Sequence, residues 1–225
     1  MLPLYIFDID STLIKPYNYN SVFQVREGLY DKNLLTPLFD TCQIAIASFN
    51  NEQMPGTING KRLGRTILDI QHKTGDSRTS VPDDFIQAWI PNSIEEMNAW
   101  GKNMHIKLIL EAYVKKWGRK PPKIYFWDDR CVNVYLASKL GITTYLVNSG
   151  LTSVNIFKCP RILIKTVISV NKRNLYTCIS THLRNFSNNI DTIDTHLFAV
   201  YTFDKDELLT FINGLRTCNI TFKIY

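Results

Sequence analysis

Four short stretches of the chain are apolar at nearly every position: residues 4–7, 44–47, 124–127 and 144–147. Runs this short without polar alternation suit strands covered on both faces, as in the interior of a parallel sheet. A second period runs between them. From 104 to 117 the apolar positions Ile106, Ile109, Leu110, Tyr113 and Val114 recur at helical spacing, with Lys115 and Lys116 in the last turn and Gly118 after it. Residues 132–140 read the same way and stop at Gly141. Strands alternating with helices predict an α/β fold, a doubly wound parallel sheet.

The pattern breaks down over 50–82, where Asn50-Asn51, Pro55-Gly56, Asn59-Gly60 and Gly75-Asp76 are turn signals. This stretch reads as a long flap with a short helix near 63–70. After Thr152 the style changes again. Residues 162–170 alternate like a strand that 175–180 would pair with, and 197–203 reads as another strand. Residues 206–215 are helical, and 220–225 close as a strand. The organisation is therefore an α/β domain over 1–151 and a small α+β appendage over 152–225.

The candidate chemistry sits where the apolar runs end. Asp8 and Asp10 follow the first, in Phe7-Asp8-Ile9-Asp10-Ser11-Thr12-Leu13, and Asp128-Asp129 follow the third. Ligands of open parallel sheets bind beyond the carboxyl ends of the strands. Capping of a following helix by Asp10 or Ser11 would explain the first pair alone. Two acidic pairs at one sheet edge repel unless a cation lies between them, and a hard divalent ion with oxygen ligands fits that need. Ser48 ends the second run as a hydroxyl able to donate to a phosphoryl oxygen, although a lone serine there caps a turn as readily. A lysine is needed to offset phosphate and carboxylate charge. Lys102 and Lys107 both lie ahead of the second acidic pair, and either could fill that role.

In this order Asp-x-Asp, Ser, Lys and Asp-Asp resemble the motifs of the haloacid dehalogenase superfamily. Gly101-Lys102-Asn103-Met104-His105-Ile106 and the segment from Phe126 through Asn133-Val134 to Gly141-Ile142-Thr143 are similar to its small magnesium-dependent phosphatase branch. The resemblance covers roughly residues 1–150. It implies a Rossmann-like sheet with a minimal cap, and phosphoryl transfer to Asp8 through an aspartyl-phosphate. Asp10 would act as general acid and then as general base. Mg²⁺ would be held by Asp8, the Asp10 backbone carbonyl and Asp129, with Asp128 acting directly or through water. Ser48 and the lysine would bind the phosphoryl oxygens. Lys102, whose Gly-Lys-x-x-His pattern is like that of the named branch, is favoured over Lys107, which lies closer to Asp128. Thr12 would support the first loop. Ser11 departs from the pattern, because many members carry glycine there.

Charge and cysteine content narrow the setting. The net charge is +6, and after Thr152 nine Lys and Arg stand against five Asp and Glu. An anionic partner fits: a phosphorylated substrate, nucleic acid or phosphoprotein. The same fold could instead serve, without catalysis, as a binding protein using this basic surface. The five cysteines are scattered, with no CxxC pair, so neither zinc nor a disulfide framework is supported and a reducing, intracellular setting is expected. His72, His105, His182 and His196 lack metal-ligand spacing and read as surface or packing residues. No apolar run approaches the roughly 20 residues of a spanning helix, so no membrane association is expected.

Overall fold

The computed structural model describes residues 2–52, 55–72, 81–157, 163–193 and 195–225. Five strands form the first sheet: β1 (Leu4–Phe7), β2 (Gln43–Ser48), β3 (Ile86–Ala88), β4 (Ile124–Asp128) and β5 (Thr143–Leu146). All neighbours pair in parallel, in the order β3-β2-β1-β4-β5. β1 and β2 are buried along almost their whole length, as their unbroken apolar sequences require.

The connections are α1 (Val22–Gly28), α2 (Gly60–Gln71), α3 (Ile94–Trp100), α4 (Asn103–Trp117) and α5 (Cys131–Ser138). α1 packs with α2, and α4 with α5, giving a Rossmann-like α/β arrangement. Gly64 brings α2 close to the sheet, because a Cβ there would fall 2.8 Å from Ile86. The chain steps outward from β1 to β2 to β3 and then returns to place β4 on the other side of β1. Strand order therefore reverses between β1 and β4, where sheets of this class open a crevice at their carboxyl ends.

The described part of the stretch read as a flap holds more regular structure than its turn signals suggest. The helix placed near 63–70 extends over the whole of Gly60–Gln71, and the short strand β3 follows the stretch. The turn expected at Gly75-Asp76 lies outside the described residues. α3, which the apolar pattern did not reveal, begins at Ser93, whose hydroxyl accepts from the Glu96 amide at 3.1 Å.

The second unit comprises β6 (Ile164–Val170), α6 (Lys172–Thr181), β7 (Ile190–Thr192), β8 (Leu197–Thr202), α7 (Lys205–Thr217) and β9 (Phe222–Ile224). Its antiparallel sheet has the order β7-β8-β6-β9, which with this sequence of elements is a split βαβ, or ferredoxin-like, topology. Of the residues 162–170 read as a strand, Ile162 lies outside the described residues. The strand expected at 175–180 is instead part of α6. Leu175, Cys178 and Ile179 fall one helical turn apart and are buried together, and Asn171 caps the start by accepting from the Asn174 amide.

Two cores result. The first gathers around the parallel sheet and includes Ile156, which lies beyond the expected boundary at residue 151. Trp127 stacks on Phe7 at 4.7 Å and donates from Nε1 to the Ile156 carbonyl at 2.8 Å. The second core lies between the antiparallel sheet and α6 and α7. Ala199 and Tyr201, on the other face of β8, pack with Cys131, Val132 and Val134 of α5, so the appendage rests on the helix that follows the second acidic pair.

A further correction concerns the cysteines. Cys178 and Cys218 form a disulfide joining α6 to the residue after α7. A reducing setting therefore no longer follows from cysteine usage. Among the described residues no helix is long and apolar enough to cross a membrane.

Candidate metal and phosphoryl site

β1 ends at Phe7, and the Asp8 amide still donates to the Trp127 carbonyl of β4 at 3.0 Å. The two strand ends are thereby tied side by side, with Asp8 on one and Asp128 on the other. Lys102, the residue before α4, lies between them. Its ammonium pairs with Asp8 Oδ1 and stands 2.8 Å from Asp128 Oδ2. The side chains of Lys102, Asp8 and Asp128 are only 2%, 5% and 0% exposed.

Charges this deep survive only when paired and hydrogen-bonded. Asp128 Oδ1 accepts from the Arg130 amide at 2.8 Å, and Asn133 Nδ2 donates to both its oxygens at 3.0 and 3.1 Å. Burial alone would lower the Lys102 ammonium, but the carboxylates of Asp128 and Asp8 outweigh it and raise its pKa. Burial raises Asp128 despite the pull of Lys102. Burial, then the charges of Asp128 and Asp8, push Asp129 up to about 7.

Asp8, Asp128 and Asp129 each offer a carboxylate oxygen, all within 4.8 Å of one another. Three carboxylates against one ammonium leave an excess of two negative charges. A divalent cation matches that excess, and the all-oxygen donor set is that of a hard ion. The raised Asp129 reflects its burial first and the neighbouring carboxylates second. The triad therefore could hold a metal ion.

Asp10 takes a different position. Its side chain is not one of the three; Asp10 Oδ2 accepts from Asn50 Nδ2 at 2.9 Å. Asn50 is fixed in turn, because its Oδ1 accepts from the Gly60 amide at 2.5 Å and its own amide donates to Ser48 Oγ at 3.3 Å. Ser48, at the end of β2, is 1% exposed. The turn after Asp8 closes through Ser11, at φ 59°, a conformation glycine adopts without cost and other residues rarely. Thr12 is fully buried, and its carbonyl accepts from the Leu151 amide at 2.8 Å.

Of the two lysines, the structure brings Lys102 to the acids and leaves Lys107 on the exposed side of α4, 4.0 Å from Glu111. Five residues along a helix turn the side chain away from the sheet edge. Gly101, at φ 50°, makes the sharp entry that points Lys102 inward. His105 packs beneath the site, stacked on Trp89 at 4.0 Å, with Nε2 donating to the Trp89 carbonyl at 2.9 Å. Burial holds its pKa down to about 4, so it is neutral near pH 7.

Reading the sequence missed Asn50 and the role of Asn133. Neither carries a spacing signal of its own. Each could have been sought only as an amide within one turn of a strand end that bears an acid or hydroxyl. No family model matches the chain, and no curated protein does.

Proposed function

We propose that this protein is a Mg²⁺-dependent phosphomonoesterase of the haloacid dehalogenase type, with Asp8 as nucleophile. The observation that carries the reading is the Asp8 carboxylate held at the β1–β4 reversal by a buried lysine, within a carboxylate triad suited to a divalent ion. The bound ion would be held by Asp8, Asp128 and Asp129, and would screen the phosphoryl group from the attacking carboxylate.

Asp8 attacks phosphorus and forms an acyl-phosphate bond as the bond to the leaving oxygen breaks. Asp10, oriented by Asn50, gives that oxygen its proton. Asp10 then takes a proton from the water that attacks the phosphorylated Asp8, releasing inorganic phosphate and restoring the carboxylate. Lys102 spreads positive charge over the phosphoryl oxygens and Asp8, and the Ser48 hydroxyl is placed to donate to one of those oxygens. Asp128 and Asn133 keep Lys102 in line.

Only α1 and one short helical turn (Thr36–Leu38) lie between β1 and β2. So little structure over the site supports a bulky phosphate as substrate, such as a nucleic-acid end or a phosphoprotein. Hydrolysis of p-nitrophenyl phosphate with and without Mg²⁺ tests the reading. The expected result is metal-dependent turnover that falls by more than about a thousandfold in Asp8→Asn. Turnover retained by that variant would remove Asp8 from the mechanism.

A further inference from the structure

One cleft adjoins the proposed phosphoryl site and shares only Asp10 and Asn50 with it. It opens on the Asp10 side of the site, with a volume of about 540 Å³, and is lined by Asp10, Pro16, Tyr17, Asn18, Asn50 and Asn59. Apart from Asp10 none of these residues is charged, so a second phosphate or another polyanion would find no cation there. The lining offers one aromatic ring, that of Tyr17, with Pro16 beside it and three amides. Asn50 is committed to Asp10 and Gly60, and Asn59 Nδ2 donates to Thr57 Oγ1 at 2.5 Å. Tyr17 presents its ring to solvent at 67% exposure.

That ring sits on a braced loop. The Lys15 amide donates to the Gly28 carbonyl at 3.0 Å, the Tyr19 hydroxyl donates to the Lys15 carbonyl, and the Ile58 amide donates to the Tyr19 carbonyl at 2.6 Å. Tyr19 lies flat over Gly28, where a Cβ would fall 2.3 Å from its hydroxyl. Tyr17 then packs edge-on against Tyr19 at 5.6 Å. An aromatic held this way offers a stacking face with little conformational entropy left to lose.

A second cleft of about 420 Å³ shares Pro16 and Tyr17 with the first and adds Lys15 and the exposed ring of Phe23. Glu27 lines this second cleft as well, so its charges balance, and its exposed aromatic faces, Tyr17 and Phe23, are the feature on which a neighbouring base could stack.

We infer that the cleft beside Asp10 receives the nucleoside of a nucleoside monophosphate, its base stacked on Tyr17 and its edge facing the asparagine amides. The nucleoside monophosphate is either a free nucleotide or the phosphorylated end of a single-stranded oligonucleotide. The inference rests on the reading of Asp10 as the acid that protonates the leaving oxygen, since that places the leaving group on the Asp10 side.

The test uses the full chain with Mg²⁺. Calorimetry on Asp8→Asn measures binding of adenosine monophosphate and of a short end-phosphorylated oligonucleotide, while hydrolysis of acetyl phosphate by the wild type checks the reading beneath it. Tyr17→Ala in the Asp8→Asn background is expected to weaken adenosine monophosphate binding by about tenfold or more, and Tyr17→Phe to restore it. Phe23→Ala weakening the oligonucleotide alone identifies a chain end as the source; no effect identifies the free nucleotide. Nucleotide binding indifferent to Tyr17→Ala would overturn the inference, as would absent nucleotide binding in a protein that hydrolyses acetyl phosphate. Lack of Mg²⁺-dependent acetyl phosphate turnover would instead overturn the Asp8 reading, and the inference with it.

Discussion

Lys102 is the residue on which the electrostatics of the site turn. Its ammonium is buried against Asp8 and Asp128, and removing one member of such a group leaves the others charged and unpaired in a poor solvent. Lys102→Met is therefore expected to destabilise the metal-free protein by about 3–5 kcal/mol, measured by urea denaturation, with part of the loss recovered on adding Mg²⁺. Lys107→Ala is expected to stay within about 0.5 kcal/mol, because Lys107 reaches only Glu111 in solvent. Asp129 carries the pH dependence. With its pKa raised from 3.8 to about 7, the folded protein holds a proton there that the unfolded chain has released. Stability without metal thus falls as pH rises through that interval. An ion must displace the proton, so Mg²⁺ affinity should rise with pH up to about 7 and then level off. Calorimetry in two buffers of different ionisation enthalpy should show proton release at acid pH and none above neutrality; equal heats at both would place Asp129 outside the metal site.

At the scale of elements, the junction between α3 and α4 sets the position of Lys102. Gly101 stands there at φ 50°, and a Cβ would fall 2.9 Å from Asn133 Oδ1. Asn133 in turn holds both oxygens of Asp128. Gly101→Ala is expected to cost about 1–2 kcal/mol from the left-handed backbone alone, and to weaken Mg²⁺ binding severalfold by displacing Asn133. Unchanged affinity in a destabilised variant would show that Asn133 has room to move without disturbing Asp128. The elements differ in how plainly the sequence announces them. β1, β2, β4 and β5 are apolar at most positions, and acids stand at the ends of β1 and β4, so strands and acids are both readable. β3 and β7 have three residues each, with a polar residue in the middle, and present no apolar run to mark them. The helical spacing of Leu175, Cys178 and Ile179 covers little more than one turn, too short to separate from a strand pairing with the one before it. Asn50 and Asn133 are single amides, meaningful only once the fold brings Asp10 and Asp128 to them.

Across the whole molecule, α5 links the two units. One face borders β4 and β5 of the parallel sheet, and another packs under Ala199 and Tyr201, with Arg130 Nη2 3.4 Å from Asp191. The disulfide lies on the far side of the second sheet's core, closing a loop with a separation of 40 residues; nothing in the spacing of scattered cysteines reveals such a pair. Its reduction is expected to destabilise the second unit by about 2–4 kcal/mol. Hydrogen exchange should then accelerate in α6 and α7 while β1 and β4 stay protected. Acceleration spread equally over both sheets would mean that the two units unfold as one.

Phosphorylation of Asp8 is tested by acid quenching during turnover of a labelled phosphate ester with Mg²⁺, followed by peptide mapping. The expected result is an acid-stable, base-labile phosphoryl group on the peptide containing Asp8, formed only with the divalent ion and absent from Asp8→Asn. Metal-dependent turnover with the label on another residue would contradict it.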